Sequence, residues 1–199
     1  MAADAAGNDV GAVGIPLTGY LAYASDSVSP PTSLAGSAPN LTLAPEDFKK
    51  VGLLKQDGGF EWTEEPTGDP IEFYQDGYSI PSGLANVTLA FTAAEHSPIT
   101  RALRTGKTPD VNGYLTVDGG GHGTRYLFFS EEQYRNGRTR RRAGYGQVQT
   151  AKLQKSERGT PQGIEFVVKI VRHPAFGMEH YGEWWIDGEA PDLPPDEEG

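Results

Sequence analysis

Residues 51–106 read VGLLKQDGGFEWTEEPTGDPIEFYQDGYSIPSGLANVTLAFTAAEHSPITRALRTG, and this stretch decides the fold. Phe60 and Trp62 alternate with Glu61 and Thr63, the period of a strand with one dry and one wet face. Asn86–Thr92 repeats the pattern with Val87, Leu89 and Phe91 on the dry side. Each such side chain stabilises the fold by roughly 1.5 to 3 kcal/mol when buried. Ser97 then suits an N-cap, Pro98 the first helical position and Gly106 the position past the end, which predicts a helix over 97–105. So short a helix is marginal alone, so Ile99, Ala102 and Leu103 are expected to pack on a sheet.

Outward from this centre the chain keeps a β rhythm. Gly19–Ala24 is the first strand candidate. Residues 25–47, SDSVSPPTSLAGSAPNLTLAPED, lack periodicity, and a loop of that length is commonly functional or disordered. Beyond the helix, Tyr114–Val117 and Arg125–Phe129 flank DGGGHG as an expected hairpin, and Asn136-Gly137 marks a tight turn. Gly146–Leu153 and Ile164–Arg172 are two further strands. The second has Ile164, Phe166, Val168 and Ile170 on one face with Val167 and Val171 on the other, so cover on both sides is expected. Phe60, Trp62, Val87, Leu89, Phe91, Ile99, Leu103, Phe166 and Val168 form the expected core. Residues 1–17 read as a flexible arm, 18–188 as the domain and 189–199, EAPDLPPDEEG, as a disordered acidic tail.

The 199 residues suffice for one domain with a core. A formal charge of -10 disfavours nucleic-acid binding by the whole surface. Disulfides and thiolate metal sites are excluded because there is no cysteine. The N-terminus lacks the basic and apolar regions of a signal peptide, and no run reaches the roughly 20 apolar residues of a membrane span. The expected class is mainly β with one short flanking helix.

Several constellations could carry chemistry. Asp57, Glu61, Glu65, Asp69, Glu72 and Asp76 are an acidic set, with Glu61, Thr63 and Glu65 on one strand face. They suit a solvated face or, in pairs, a glycosidase, whose carboxylate separation the sequence leaves open. Arg135, Arg138, Arg140, Arg141 and Arg142 beside Tyr134 and Tyr145 suit a nucleic-acid contact or a solvated hairpin tip. His96, His122, His173 and His180 lack metal-ligand spacing, and no cofactor or metal is expected. Asn40-Leu-Thr42 and Asn86-Val-Thr88 match the glycosylation sequon and, with no secretory signal expected, are expected to be chance matches. No nucleophile elbow, Walker sequence or catalytic triad order is found, so no enzymatic activity is expected.

The central stretch resembles the major tail tube proteins of long-tailed bacteriophages, which are related to the tubes of contractile tails and type VI secretion. Gly52 through Asp57-Gly58 matches the glycine–hydrophobic–Asp-Gly turn; an acidic strand, an aromatic ahead of Gly77 that is Phe73 or Tyr74 where the family often has Trp, and a strand-to-helix Glu at Glu95 follow. The resemblance spans about residues 18–188. It implies a β-sandwich or rolled barrel forming stacked, usually hexameric rings that conduct DNA, located in the virion and in the host cytoplasm before assembly. It also implies Glu61, Thr63, Glu65, Glu72, Asn86 and Thr88 as an electronegative lumen lining, past which double-stranded DNA slides without specific binding. Residues 25–47 become an inter-ring loop, with Asp26, Leu34, Leu41 and Leu43, and with Arg138, Arg140, Arg141 and Arg142, as inter-subunit candidates. Partners implied are further copies of the chain, a tape measure protein, a tail terminator and a distal tail protein. A carbohydrate-binding or decoration-type β-sandwich on a virion surface, using Trp62, Trp184 and Trp185 as stacking platforms, is the alternative.

Overall fold

A computed structural model describes residues 6–56, 59–75, 77–119 and 122–188. Eight strands and two short helices follow one another as β1 Pro16–Ser25, α1 Ser33–Ser37, β2 Lys49–Lys50, β3 Glu61–Glu72, β4 Ser79–Ala93, α2 Pro98–Thr105, β5 Arg125–Tyr134, β6 Thr139–Leu153, β7 Ile164–Ile170 and β8 Tyr181–Ile186. The strands pair antiparallel in the order β2-β1-β5-β6-β7-β4-β3. Strand β6 joins two halves of the sheet, because on one edge its first residues, Thr139–Gly144, pair with β8 and its later ones, Gly146–Leu153, with β7.

The sheet rolls over one core. Leu21 and Tyr23 of β1 and Phe128 of β5 pack in the same cluster as Val87, Leu89 and Phe91 of β4 and Phe166, Val168 and Ile170 of β7. These strands are not neighbours, so only a rolled sheet brings them together. The segment after β2 completes the roll: Leu54 forms an isolated bridge to Ala93, and Lys55 N–H donates to the Thr92 carbonyl at 3.0 Å. A second, smaller cluster on the outer face of β1, β5 and β6 holds Leu127, Phe129 and Tyr145 under Phe48, Leu41, Leu43 and Trp184. The mainly β class and the short flanking helix are as expected from the sequence.

Helix α2 forms where its capping residues place it. The Ser97 hydroxyl accepts from the Thr100 N–H, Pro98 opens the helix, and Gly106 closes it in the left-handed region at φ 68°. Leu103 is buried in the main core, and Ile99 packs against it. Val87, Leu89, Phe91, Phe166 and Val168 lie in the same cluster, with Phe60 and Trp62 at its margin.

Four local expectations are corrected. Tyr114–Val117 forms no strand; Tyr114 N–H instead donates to the Asp110 carboxylate at 2.7 Å, which folds the segment into a turn. Residues 120 and 121 of the expected glycine-rich turn lie outside the described residues. Strand β7 is fully dry on one face only; on the other Val167 is half-buried and Lys169 exposed, while Val171 just past the strand packs on the second cluster. Residues 181–186, outside the strands expected from the sequence, form β8. The chain before β1 is also not free: the Asn136 side-chain amide donates to the Gly11 carbonyl at 3.1 Å, and Arg135 N–H donates to Ile15 O at 2.9 Å. Residues 1–5 and the expected tail, 189–199, lie outside the described residues.

Candidate assembly surfaces

The acidic stretch is organised by the β3–β4 ladder. Residues directly opposite in register share a face. Thr63 faces Thr88, Glu65 faces Asn86, and Glu61 faces Ala90. Thr88 in turn faces Lys169 of β7, and Lys169 faces Gln147 of β6. Glu61, Thr63, Glu65, Asn86 and Thr88 therefore occupy one outward sheet face, opposite the side carrying Leu89 and Val87. Glu72 lies further out on the same ladder, paired with Ser79 beyond two register irregularities, between Pro66 and Gly68 and between Gly68 and Ile71. Glu61 and Glu65 are four residues apart on a strand, so their α-carbons are about 13 Å apart. That exceeds the carboxyl separations of about 5 to 9.5 Å used in glycoside hydrolysis.

Beyond Asn86 the hairpin leaves the body. Strand β7 accompanies β4 only from Val87 to Ala93. From Pro66 to Ala85, β3 and β4 have only each other as strand partners among the described residues. This arm is held internally: Leu84 N–H donates to the Thr67 hydroxyl at 3.0 Å, Phe73 N–H donates to Tyr78 O at 3.0 Å, and the Ser82 hydroxyl donates to Asp69 O. Gly83, at φ 88°, opposes Gly68 so closely that a Cβ there would meet the Gly68 backbone. Yet the arm exposes Ile71, Phe73, Tyr78, Ile80 and Leu84, and Tyr74 is fully exposed at its tip. An isolated two-stranded hairpin is marginal in water, and clustered exposed apolar residues mark interaction surfaces. Pro66 and Pro70 lie on its strands, where they hinder the addition of further strands.

The arginine run is placed differently from the expected docking patch. Arg138 pairs with Asp187 at 2.8 Å, Arg140 with Glu132 at 2.6 Å, Arg141 with Glu131 at 2.6 Å and Arg142 with Glu183 at 2.7 Å. These contacts are within the chain, and Arg141 is buried. Its Nη1 also donates to the carbonyls of Gly36 and Ala38, at 2.8 and 2.6 Å, and its Nη2 to Pro39 O at 3.3 Å. All four arginines are thus paired within the chain, with Arg138 the most exposed of them. Alternation along β6 explains the difference, since Arg140 and Arg142 point to one face of the strand and Arg141 to the other.

The same contacts reposition the long loop. Segment 25–47, expected to reach another ring, is fastened to its own body. Trp184 Nε1 donates to Ser33 O at 3.1 Å, the Tyr145 hydroxyl donates to Val28 O at 2.8 Å, and Leu41 and Leu43 pack on the second core cluster. Leu34 and Asp26 stay exposed. The tryptophans do not converge on one platform. Trp62 packs at a tilt on Tyr181 with ring centroids 5.1 Å apart, Trp184 is committed to the α1 loop, and Trp185 lies on Tyr134 at 5.8 Å beneath Arg140.

Among the described residues no group of three or more His, Asp or Glu is placed to hold a metal. No described helix is long and apolar enough to cross a membrane. The arm is the feature that sequence reading missed; its signal was the run of apolar residues from Ile71 to Leu84 persisting through the prolines and glycines.

Among solved structures, the chain is similar to the SPP1 tail tube determined by solid-state NMR and cryo EM, with a TM-score of 0.42 at 12% identity, covering 89% of this chain and 81% of that chain. No protein-family model matches the chain, and neither does a curated protein.

Proposed function

We propose that this chain is a structural subunit that assembles with copies of itself into the stacked rings of a bacteriophage tail tube. The observation that carries the reading is the β3–β4 arm, a hairpin with Ile71, Phe73, Tyr78 and Ile80 in solvent and no other strand beside it among the described residues. Such a hairpin gains a dry face only against a partner, and a repeating subunit supplies one by association with its own kind. The resemblance of residues 51–106 to tail tube proteins names the assembly.

In that assembly the face bearing Glu61, Thr63, Glu65, Asn86 and Thr88 lines the channel. Short hydroxyl and amide side chains leave it smooth. The carboxylates of β3 offer no counterion release to phosphate, so DNA passes without being held. At roughly 10 Å each charge repulsion is only about 0.4 kcal/mol in bulk water before screening, and repetition around rings makes it a continuous field. The rings are hexameric on the family pattern, and the tube ends on terminator and distal tail proteins around a tape measure protein. The role is mechanical, without catalysis, and its place is the virion, after synthesis in the host cytoplasm.

Concentration-dependent light scattering on a sizing column tests the reading. Growth from monomer to ring-sized and larger species with rising concentration is expected. A chain that stays monomeric at all concentrations, including with an initiating tail-tip complex added, would contradict it.

A further inference from the structure

We infer that the arm of one copy docks in the seam between β1 and β3 of the next, so that each subunit presents one arm and one acceptor. This rests on the self-assembly reading above and names the partner surface within it.

The seam is where the rolled sheet stays open. Strand β2 covers β1 only at Ala22 and Tyr23. Among the described residues no strand lies on that edge of Pro16–Tyr20, and β3 likewise has no strand on its outer edge. Between them is a cavity of about 550 Å³ lined by Pro16, Leu17, Gly19, Leu53, Lys55 and Phe60, among others. Leu17 and Leu53 are half-exposed to exposed at its rim, 49% and 70%. A groove with an apolar rim fits a narrow apolar insert of the arm's kind.

Charge complements shape. The chain carries no lysine or arginine between Lys55 and Arg101, so the arm, with Asp69 and Glu72, is purely acidic. Lys55 lines the seam, and exposed Lys50 lies beside it over the Tyr20 ring, at 4.7 Å from Nζ to the centroid. Glu132, also in the lining, is neutralised by Arg140. Lys50 and Lys55 therefore offer the arm two cations at a rim that also holds Glu95, whose carboxylate accepts from Leu53 N–H, whereas two arms, each without a cation, repel each other, which disfavours an arm-to-arm dimer. The arm cannot serve its own seam, because the β3–β4 ladder runs from Glu61–Ala90 to Glu72–Ser79 and carries it off the body. Arm into seam is thus a head-to-tail contact, the kind that propagates into rings or filaments.

Complementation tests this. One chain has residues 67–84 replaced by Asn-Gly; a second carries Leu17→Asp and Leu53→Asp, both rim positions outside the buried core. Each is expected to elute as a folded monomer by circular dichroism and light scattering. Their equimolar mixture is expected to give a 1:1 heterodimer that grows no further, because it contains one intact arm and one intact seam. In the otherwise wild-type chain, which has no native cysteine, Tyr74→Cys with Leu53→Cys is expected to cross-link between copies with a short bis-maleimide. Assembly of the Leu17→Asp/Leu53→Asp chain at the wild-type level would overturn the seam while leaving self-assembly standing. So would failure of the mixture to pair while wild type assembles. A wild-type chain that never associates would overturn both.

Discussion

Arg141 lies directly opposite Glu131 in the β5–β6 ladder, its Nε donating to the carboxylate at 2.6 Å with the arginine side chain 3% exposed. The pair sits beneath the α1 loop, and the remaining donors of the guanidinium hold three loop carbonyls. Removing one partner of such a pair leaves a buried charge, at a cost of about 3 to 5 kcal/mol. Arg141→Ala is therefore expected to lower the unfolding free energy measured in urea by that amount and to open residues 29–43 to proteolysis. Replacing both partners, as Arg141→Met with Glu131→Leu, removes the uncompensated charge but leaves Gly36, Ala38 and Pro39 without their donor. The double variant is expected to recover only part of the loss, staying at least ~1 kcal/mol below wild type.

Gly36 lies against the Trp184 indole, and a Cβ at that position would overlap the ring. Gly36→Ala is expected to displace Trp184, break its bond to Ser33 O and cost about 1 to 3 kcal/mol. Tryptophan emission shifting to the red, with a lowered denaturant midpoint, is the readout; unchanged emission would show that the loop does not pack as described.

Burial pushes the Tyr20 phenol up to about 12, and burial followed by the hydrogen bond to Glu64 pushes Tyr181 to about 12. Burial also raises Tyr23 and Tyr126. The folded state thus favours the neutral phenol, while an unfolded tyrosine ionises near about 10. Their contribution is fully present below about pH 10 and is lost as pH rises toward 12. Stability followed by circular dichroism is expected to fall across that window, with tyrosinate absorbance rising as unfolding proceeds. Tyr20→Phe should make the fall shallower.

Ser97→Ala removes the oxygen that accepts from the Thr100 N–H. A lost N-cap costs about 1 kcal/mol. Thermal melting should show a drop of that order with the β signal below the transition intact.

Helix α2 was legible because its signals are local: Ser97, Pro98 and Gly106 each specify backbone geometry within a turn. The dry faces of β4 and β7 were legible because alternation needs only a few residues, as in Val87–Phe91 and Ile164–Ile170. Arg141 was not, because a run of arginines looks solvated until the position of Glu131 across the ladder is known. The anchoring of the loop at 25–47 was not legible for the same reason, since Arg141, Tyr145 and Trp184 lie more than a hundred residues away. The arm was hidden by its own prolines and glycines, which read as breakers. Gly68 and Gly83 instead form an irregularity inside one continuous hairpin.

Negative-stain electron microscopy of the concentrated protein, beside a chain whose residues 67–84 are replaced by Asn-Gly, tests the central claim most directly. Rings or tubes with a central channel are expected from the full chain, and only dispersed particles from the armless one. The thermal midpoint should be nearly unchanged, since the arm adds nothing to the described core. Full-length particles that never form a channelled ring, even when a tail-tip complex is supplied, or armless chains that build the same tubes, would contradict the account.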